Sequence, residues 1–588
     1  MKEKIGVSSL VLNDFLTVRK KFPATQEYIS ACKFELPDFQ RGYVWTKLHI
    51  ERLIDDIFKK SGLYIGNIMT SNKVGGSDYL IDGQQRLVTI SLLLVTLRGV
   101  AVSNELKNEI NLLLKDVDEP RLVFSRNNLH QFYSDIVNDK KVIADDKAEE
   151  FIAKALKIIK RKIKSLGINS DLEIKKYLIN IKNANFVLIK CFDPSEISNL
   201  FIGLNSTGIE LSQVELVKSA IYGEIASLQN NTKLRKFNTT WRSIEKSYEK
   251  INIFWFNQFL RHQWFLVNGY VSGKKLADTI IKNKVKPHNV VELSDYLNKL
   301  KHDSKLYINI RNTTTNTKTH NLKFPMGTSY DKARKIPLVI SDINKLELAQ
   351  VYPVVLSLLN YGELEMSYHN RGRSLSDMEK LWSFLVLAKY SKTIPSQYEK
   401  KFAIFCFDVS SIKDYEDFKL KVSSFFKSLS ALVELSKEVF VSQINERYSD
   451  RDGGFTKRML YYTCDPTETL NIENLETEHI LPQGSGSKGS FSKWKNIQKS
   501  EYDELSESLY RLGNLSLLEH NLNESAGNSS FTDKIKEYDK SEYYINHKIK
   551  NFINFNSKTP SDAVTERGEI LAGEIFDALL LKLTNITK

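Results

Sequence analysis

Between residues 48 and 60 the apolar positions Ile50, Leu53, Ile54, Ile57 and Phe58 recur at helical spacing, with Glu51, Arg52, Asp55 and Asp56 opposite them. That pattern predicts an amphipathic helix. Asp78-Tyr79-Leu80-Ile81-Asp82 predicts a short strand, which Gly83 breaks. Residues 85–98, with the apolar run from Leu87 to Val95, predict a mostly buried helix. The local order is strand, tight turn, helix. Periodic Leu and Ile between lysines predict helix through much of 100–182. Phe186-Val187-Leu188-Ile189 predicts a strand, followed by a turn at Asp193-Pro194 and a helix to about Leu204. Asn205-Ser206-Thr207-Gly208 predicts a turn, and a further helix starts near Ser212.

Residues 225–445 are long and helix-rich, with Trp241, Trp255 and Trp264 among the aromatics. Asn312 to Thr317 is a polar loop, and no internal repeat is present. The C-terminal part changes character. Asn474 to Ile480 predicts a strand ending at Glu478-His479, and Gly484 to Ser490 a glycine- and serine-rich loop. Leu512 to Leu518 predicts a second strand, and a helix begins near Asn521 and runs past Lys534. This segment reads strand, long loop, strand, helix.

Composition narrows the class. A chain of 588 residues has room for about three to five domains. Hydrophobic residues make up 41% and charged residues 26%, as in an ordinary globular protein. The 12 prolines argue against a disordered or loop-dominated chain. Cys32, Cys191, Cys406 and Cys464 form no Cys-x-x-Cys, which argues against a zinc finger and a secreted disulfide framework. The first residues lack the apolar core of a signal peptide, and the run around Ile90–Val95 is too short to span a bilayer. The expected setting is soluble, reducing and cytoplasmic, without a membrane partner.

The net charge is +13. Residues 151–190 carry net +8 and residues 301–340 net +6, whereas 475–550 carry net −2. A basic surface suits a polyanion such as nucleic acid. A solvated lysine-rich helix face would have the same composition. If the first basic stretch is helical, Lys157, Lys160, Arg161 and Lys164 share one face and Lys162 lies off it.

Two short constellations carry chemistry. Glu478-His479-Ile480-Leu481-Pro482-Gln483 puts a carboxylate beside a histidine at a strand end. Adjacent strand residues point to opposite faces, so both serve one site only if the strand ends or bends there. Gly513-Asn514-Leu515 follows, with Asn514 35 positions after His479, and Asn523 comes nine further on. Hydrolysis of a phosphodiester needs an activated water and charge stabilisation, which a histidine base and a hard cation held by oxygen ligands supply. The second constellation is Asp82-Gly83-Gln84-Gln85-Arg86, between a strand and a helix. The first N–H groups of that helix can bind phosphate, and Arg86 can add a forked contact. Asp82 can hold a phosphate-bound cation or simply cap the helix, and on these residues alone an Asp-capped helix with a surface Gln-Gln-Arg is the favoured reading.

Together with their neighbours these residues carry a family resemblance. Glu478–Gln483, Gly513–Leu518, Asn523, Phe531 and Lys534 resemble the HNH (ββα-metal) nuclease motif in the variant found in the GmrSD family of modification-dependent, type IV restriction endonucleases. Leu36–Trp45, Leu63–Ile68, Asp82–Arg86 and Phe201–Ser212 resemble the N-terminal domain of the same family, which is similar in fold to ParB-like nucleotidases. The resemblance covers about residues 10–225 and the C-terminal part. It implies an α+β, helix-rich multidomain protein: a ParB-like domain over 1–225, a helical linker over 226–430 and an HNH domain over 431–588.

The resemblance also implies roles. His479 would be the general base, Asn514 the residue bracing the loop, and Asn523 a Mg²⁺ or Mn²⁺ ligand with Glu478 as its carboxylate partner. Asn528 stands as the rival to Asn523. Asp82, Gly83, Gln84, Gln85 and Arg86, with Arg41 nearby, would bind and hydrolyse a nucleoside triphosphate. Asn205 and Gly208 match a further family motif. The implied activity is a nucleotide-dependent DNA endonuclease that senses modified cytosines or phosphorothioate linkages in phage DNA. Lys157, Lys160, Arg161 and Lys164 are the expected phosphate contacts. A second copy of the chain or a partner defence protein stands open. Two other readings remain: a nucleotide-dependent DNA-binding switch whose nuclease end is inactive, and an HNH nickase without nucleotide control. The intact motifs at each end argue against both.

Overall fold

The computed structural model describes residues 5–18, 32–37, 42–72, 78–192, 212–227, 231–249, 254–285, 289–314, 330–364, 371–412, 414–444, 453–464, 472–482, 505, 507–552 and 559–584. The fold is α+β and helix-rich, with a small sheet. It divides into two compact units, Met1–Arg261 with Val271–His302, and His262–Tyr270 with Asp303–Lys588.

The first unit holds a six-stranded mixed sheet. Its strands are β1 (Ile5–Val11), β2 (Phe34–Leu36), β3 (Tyr64–Asn72), β4 (Asp78–Asp82), β5 (Leu122–Phe124) and β6 (Asn185–Cys191), in the order β1-β6-β3-β4-β2-β5. β6 pairs antiparallel with β1 and parallel with β3, while β3 and β4 are antiparallel neighbours. Of these strands, β4 and β6 are the two that the hydrophobic pattern predicts. β2 and β5 have three residues each and pair parallel to one another, Phe34 opposite Leu122. Their partners are distant in sequence, so no local alternation betrays them.

Helix α1 (Lys47–Lys59) buries Ile50, Ile54 and Ile57 completely, with Leu53 and Phe58 packed at the edge. Helix α2 (Gln84–Val100) is buried on all sides from Leu87 to Arg98, as a contiguous apolar run requires. Helix α3 (Lys147–Ser165) starts at an Asp146 cap, which accepts from the Ala148 and Glu149 amides, and buries Ile152, Ala155, Ile159 and Ile163. All three helices feed one core with Phe34, Ile68, Leu80 and Leu188 of the sheet.

The second unit combines a helical bundle with a small hairpin assembly. Strands β7 (Leu475–His479) and β8 (Leu515–Glu519) are antiparallel, with His479 opposite Leu515 and Glu478 opposite Ser516. The predicted long helix after β8 is two helices, α4 (His520–Ala526) and α5 (Phe531–Tyr538). Gly527, at φ +39°, ends the first, and the Ser530 hydroxyl caps the second by accepting from the Asp533 amide. The C-terminal helix α6 (Pro560–Thr584) packs against both the Leu512–Asn514 turn and the bundle helix Arg371–Tyr390. Among the described residues no helix is long and apolar enough to cross a membrane.

Candidate functional site

At the end of β4 the chain turns through Gly83 at φ +90°, a left-handed conformation that glycine adopts without steric cost. A side chain there would also crowd Ile68, whose Cγ1 lies 3.0 Å from an ideal Cβ. α2 begins immediately, with no side-chain cap on its first turn. Asp82 Oδ1 accepts from the Gly83 amide at 2.7 Å, and its Oδ2 lies 3.7 Å from the Arg86 guanidinium. Arg86 lies along β3 and donates to the Ile65 carbonyl. Burial pulls its pKa down, and Asp82 and Tyr64 oppose that shift. Gly66, at φ +93°, makes the room, since a Cβ there would collide with the Arg86 guanidinium.

The two glutamines of this motif both bond to main-chain groups of the first unit. Gln84 is buried and donates to the Leu80 carbonyl at 2.8 Å. Gln85 accepts from the Val44 amide and donates to the Gly42 carbonyl, and the Tyr43 hydroxyl meets Thr89 at 2.7 Å. Gln84 therefore ties the start of α2 back to β4, and Gln85 is the strut that holds the 42–44 segment on α2. Asp82, Gly83 and Arg86 remain at the open helix end. Arg41, Asn205 and Gly208 lie outside the described residues.

On α3 the side chains of Lys157, Lys160, Arg161 and Lys164 are exposed and rim an apolar depression of about 390 Å³, floored by Val142, Ala153 and Leu156. Lys162 instead pairs with Asp55 of α1 at 2.7 Å. Helical spacing puts it off the face that the other four share and toward α1.

The C-terminal constellation is built around a fully buried amide. Asn514 donates from Nδ2 to the carbonyls of Leu481 and Leu509, and its Oδ1 accepts from the Leu481 amide at 2.6 Å. Its own carbonyl accepts from the Ile480 amide at 2.9 Å. The peptides just after His479 are thereby fixed, and the imidazole stands edge-on to Tyr510, ring centroids 6.1 Å apart. Gly513 is required beside it, because a Cβ would collide with the Val564 carbonyl and the Gly568 amide of α6. Buried Arg567 of α6 donates to the Gly513 and Leu515 carbonyls.

Glu478 and Asn523 have different partners. Glu478, 5% exposed, accepts at Oε1 from Lys534 Nζ at 2.6 Å and from the Tyr538 hydroxyl at 2.7 Å, both on α5. Burial lowers the Lys534 pKa against the pull of Glu478, and burial raises that of Tyr538 well above its ordinary value. Asn523 on α4 donates to Glu476 Oε2 at 2.8 Å, and His520 meets the other Glu476 oxygen at 2.8 Å. These bonds hold the Glu476 carboxyl below its usual range and push His520 up. The resemblance implies Glu478 as the carboxylate beside Asn523; in the structure that neighbour is Glu476. α4 crosses the hairpin at the Glu476–Leu518 pair, whereas α5 delivers Lys534 and Tyr538 to Glu478.

The Asn523 Oδ1 is buried and has no hydrogen-bond partner among the described residues. An orphaned amide oxygen beside a carboxylate fits a hard divalent cation, which takes few protein oxygens and completes its shell with water and phosphate. No group of three or more His, Cys, Asp or Glu side chains that could hold a metal occurs among the described residues. Asn528 is exposed, beyond the end of α4. Neither His520 nor Glu476 belongs to the motif that the sequence offers. The available signal was strand alternation, which puts Glu476 and Glu478 on one face.

Fold and sites together define a class: an α+β, helix-rich multidomain protein with an uncapped helix end after a strand in one unit and a histidine on a helix-backed hairpin in the other. Residues 23–222 match the GmrSD restriction endonuclease N-terminal domain and residues 437–573 the GmrSD restriction endonuclease C-terminal domain. The chain belongs to the GmrSD restriction endonuclease family. It is also 24% identical over 249 residues to an uncharacterized protein of Methanocaldococcus jannaschii, a stretch covering 34% of this chain and 42% of that protein.

Proposed function

We propose that this protein is a nucleotide-dependent, modification-sensing DNA endonuclease that cuts through an HNH-type site around His479. The observation that carries the reading is the fixed peptide around His479 at a strand end, braced by fully buried Asn514. That bracing holds an imidazole at a set place on the surface of the hairpin assembly, as a general base requires. His479 takes a proton from water at a ring nitrogen as that water attacks phosphorus. Asn523, with the carboxylate of Glu476 beside it, would hold Mg²⁺ or Mn²⁺, which when bound stabilises charge on the phosphate and the leaving oxygen.

In the first unit, the uncapped N-terminus of α2 and the half-hidden Arg86 offer N–H groups and a guanidinium to a triphosphate. The Asp82 carboxylate holds Arg86 in place or faces a phosphate-bound cation. Lys157, Lys160, Arg161 and Lys164 supply sequence-independent contacts to the DNA backbone. A nuclease that reads backbone rather than base needs a separate sensor to spare host DNA, and two distinct units suit that division. The test is a nicking assay on plasmid DNA with and without modified cytosines. It is run with and without nucleoside triphosphate, on wild type and His479→Ala.

A further inference from the structure

Lys534 carries an ammonium group 1% exposed, on a helix that begins 52 positions after His479. A buried amine is unfavourable unless its protons are used. Two of them have assigned acceptors, Glu478 Oε1 at 2.6 Å and the main-chain carbonyl of His479 at 2.7 Å. The second contact sets this lysine apart from a structural ion pair. His479 is the last paired residue of β7, so its carbonyl sits where the strand ladder ends. Lys534 holds that carbonyl, and the Asn514 carbonyl holds the next amide at Ile480. The peptide that follows the His479 Cα is thus gripped at both ends. Tyr538 completes the arrangement by donating to the same Glu478 oxygen, which keeps the carboxylate turned toward Lys534.

We propose that Lys534 is a positioning residue for the base: with Glu478 and Tyr538 it fixes the His479 peptide and so aims the imidazole at the water that attacks the scissile phosphate. The proposal rests on the reading of His479 as the base. A pair that were only structural would be replaceable by a neutral pair of similar shape without effect on the reaction. A pair that aims the base would not, because a displacement of about 1 Å at a reacting group lowers the rate by about 10²-fold.

The experiment compares the full-length wild type with Lys534→Met/Glu478→Gln, Tyr538→Phe and His479→Ala on a supercoiled plasmid that the wild type nicks. The double variant is neutral, so no buried charge is left alone. Thermal unfolding reports the fold, and titration of the protein reports DNA affinity. The single-turnover rate at saturating protein reports the aim of the base. The expected result is a folded double variant with DNA affinity within about threefold of wild type and a rate lower by about 10²-fold. Tyr538→Phe, which keeps Lys534, is expected to slow the same step by about tenfold at unchanged affinity. A double variant that nicks at the wild-type rate overturns the proposal. If it fails to fold, an unchanged rate in Tyr538→Phe overturns it instead. His479→Ala separates the two readings: if that variant still nicks normally, the base assignment fails, whatever Lys534 does.

Discussion

Arg86 lies along β3 only because residue 66 has no side chain. In Gly66→Ala the added Cβ meets the guanidinium, and φ +93° is strained for alanine, so we expect destabilisation of about 1–3 kcal/mol and a displaced Arg86. Calorimetric titration with a nucleoside triphosphate should then show weakened binding, as in Arg86→Ala. Undiminished affinity in both variants would remove Arg86 from the site. At the other end, Asn523 offers an orphaned oxygen and Asn528 does not. Asn523→Ala should raise the Mn²⁺ concentration needed for cleavage more than Asn528→Ala does, and should weaken Mn²⁺ binding measured by calorimetry. The reverse order would transfer the role to Asn528. Breaking the buried Lys534–Glu478 pair from one side is a different matter. Lys534→Met alone leaves a carboxylate buried without its cation, a change that typically costs about 3–5 kcal/mol.

At the scale of elements, the readable parts are those whose pattern is local. α2 follows from an unbroken run, Leu87 to Val95, and β4 from a five-residue alternation ended by Gly83. The β7–β8 hairpin follows from its two flanking motifs, although most of its loop lies outside the described residues. β2 and β5 are illegible because each is three residues long and pairs with strands about 44 to 88 positions away. The break between α4 and α5 was missed because Gly527 and the Ser530 cap sit inside an otherwise helical pattern. Glu476 was missed because it lies outside the recognisable motif and acquires meaning only when α4 crosses the hairpin. The role of Gly513 was equally invisible, since its neighbour is the backbone of α6, some fifty residues on. Gly513→Ala should therefore force α6 away and destabilise by about 1–3 kcal/mol, seen as a lower thermal midpoint.

Lys162 is tied to Asp55, so it is left out of the test. Replacing Lys157, Lys160, Arg161 and Lys164 by Gln should flatten the slope of log DNA affinity against log salt by about two to four units. Discrimination between modified and unmodified DNA should persist, because phosphate contacts position without reading bases. An unchanged slope would make these side chains a solvated face.

Taken as a whole molecule, the chain places its two candidate sites in separate compact units, Asp82–Arg86 in the first and His479 with Asn514 in the second. The C-terminal helix α6 belongs to the second unit, where it joins the bundle helix Arg371–Tyr390 to the turn at Gly513. A separation of this kind predicts that one activity can be removed without the other. The most direct measurement is nucleoside triphosphate hydrolysis and plasmid nicking followed in parallel for wild type and His479→Ala, on modified and unmodified DNA. Wild type should nick modified DNA only with nucleotide. His479→Ala should lose nicking by at least about 10²-fold while hydrolysing nucleotide at the wild-type rate. Nicking by His479→Ala within tenfold of wild type, or nicking that ignores both nucleotide and modification, would contradict this division of roles.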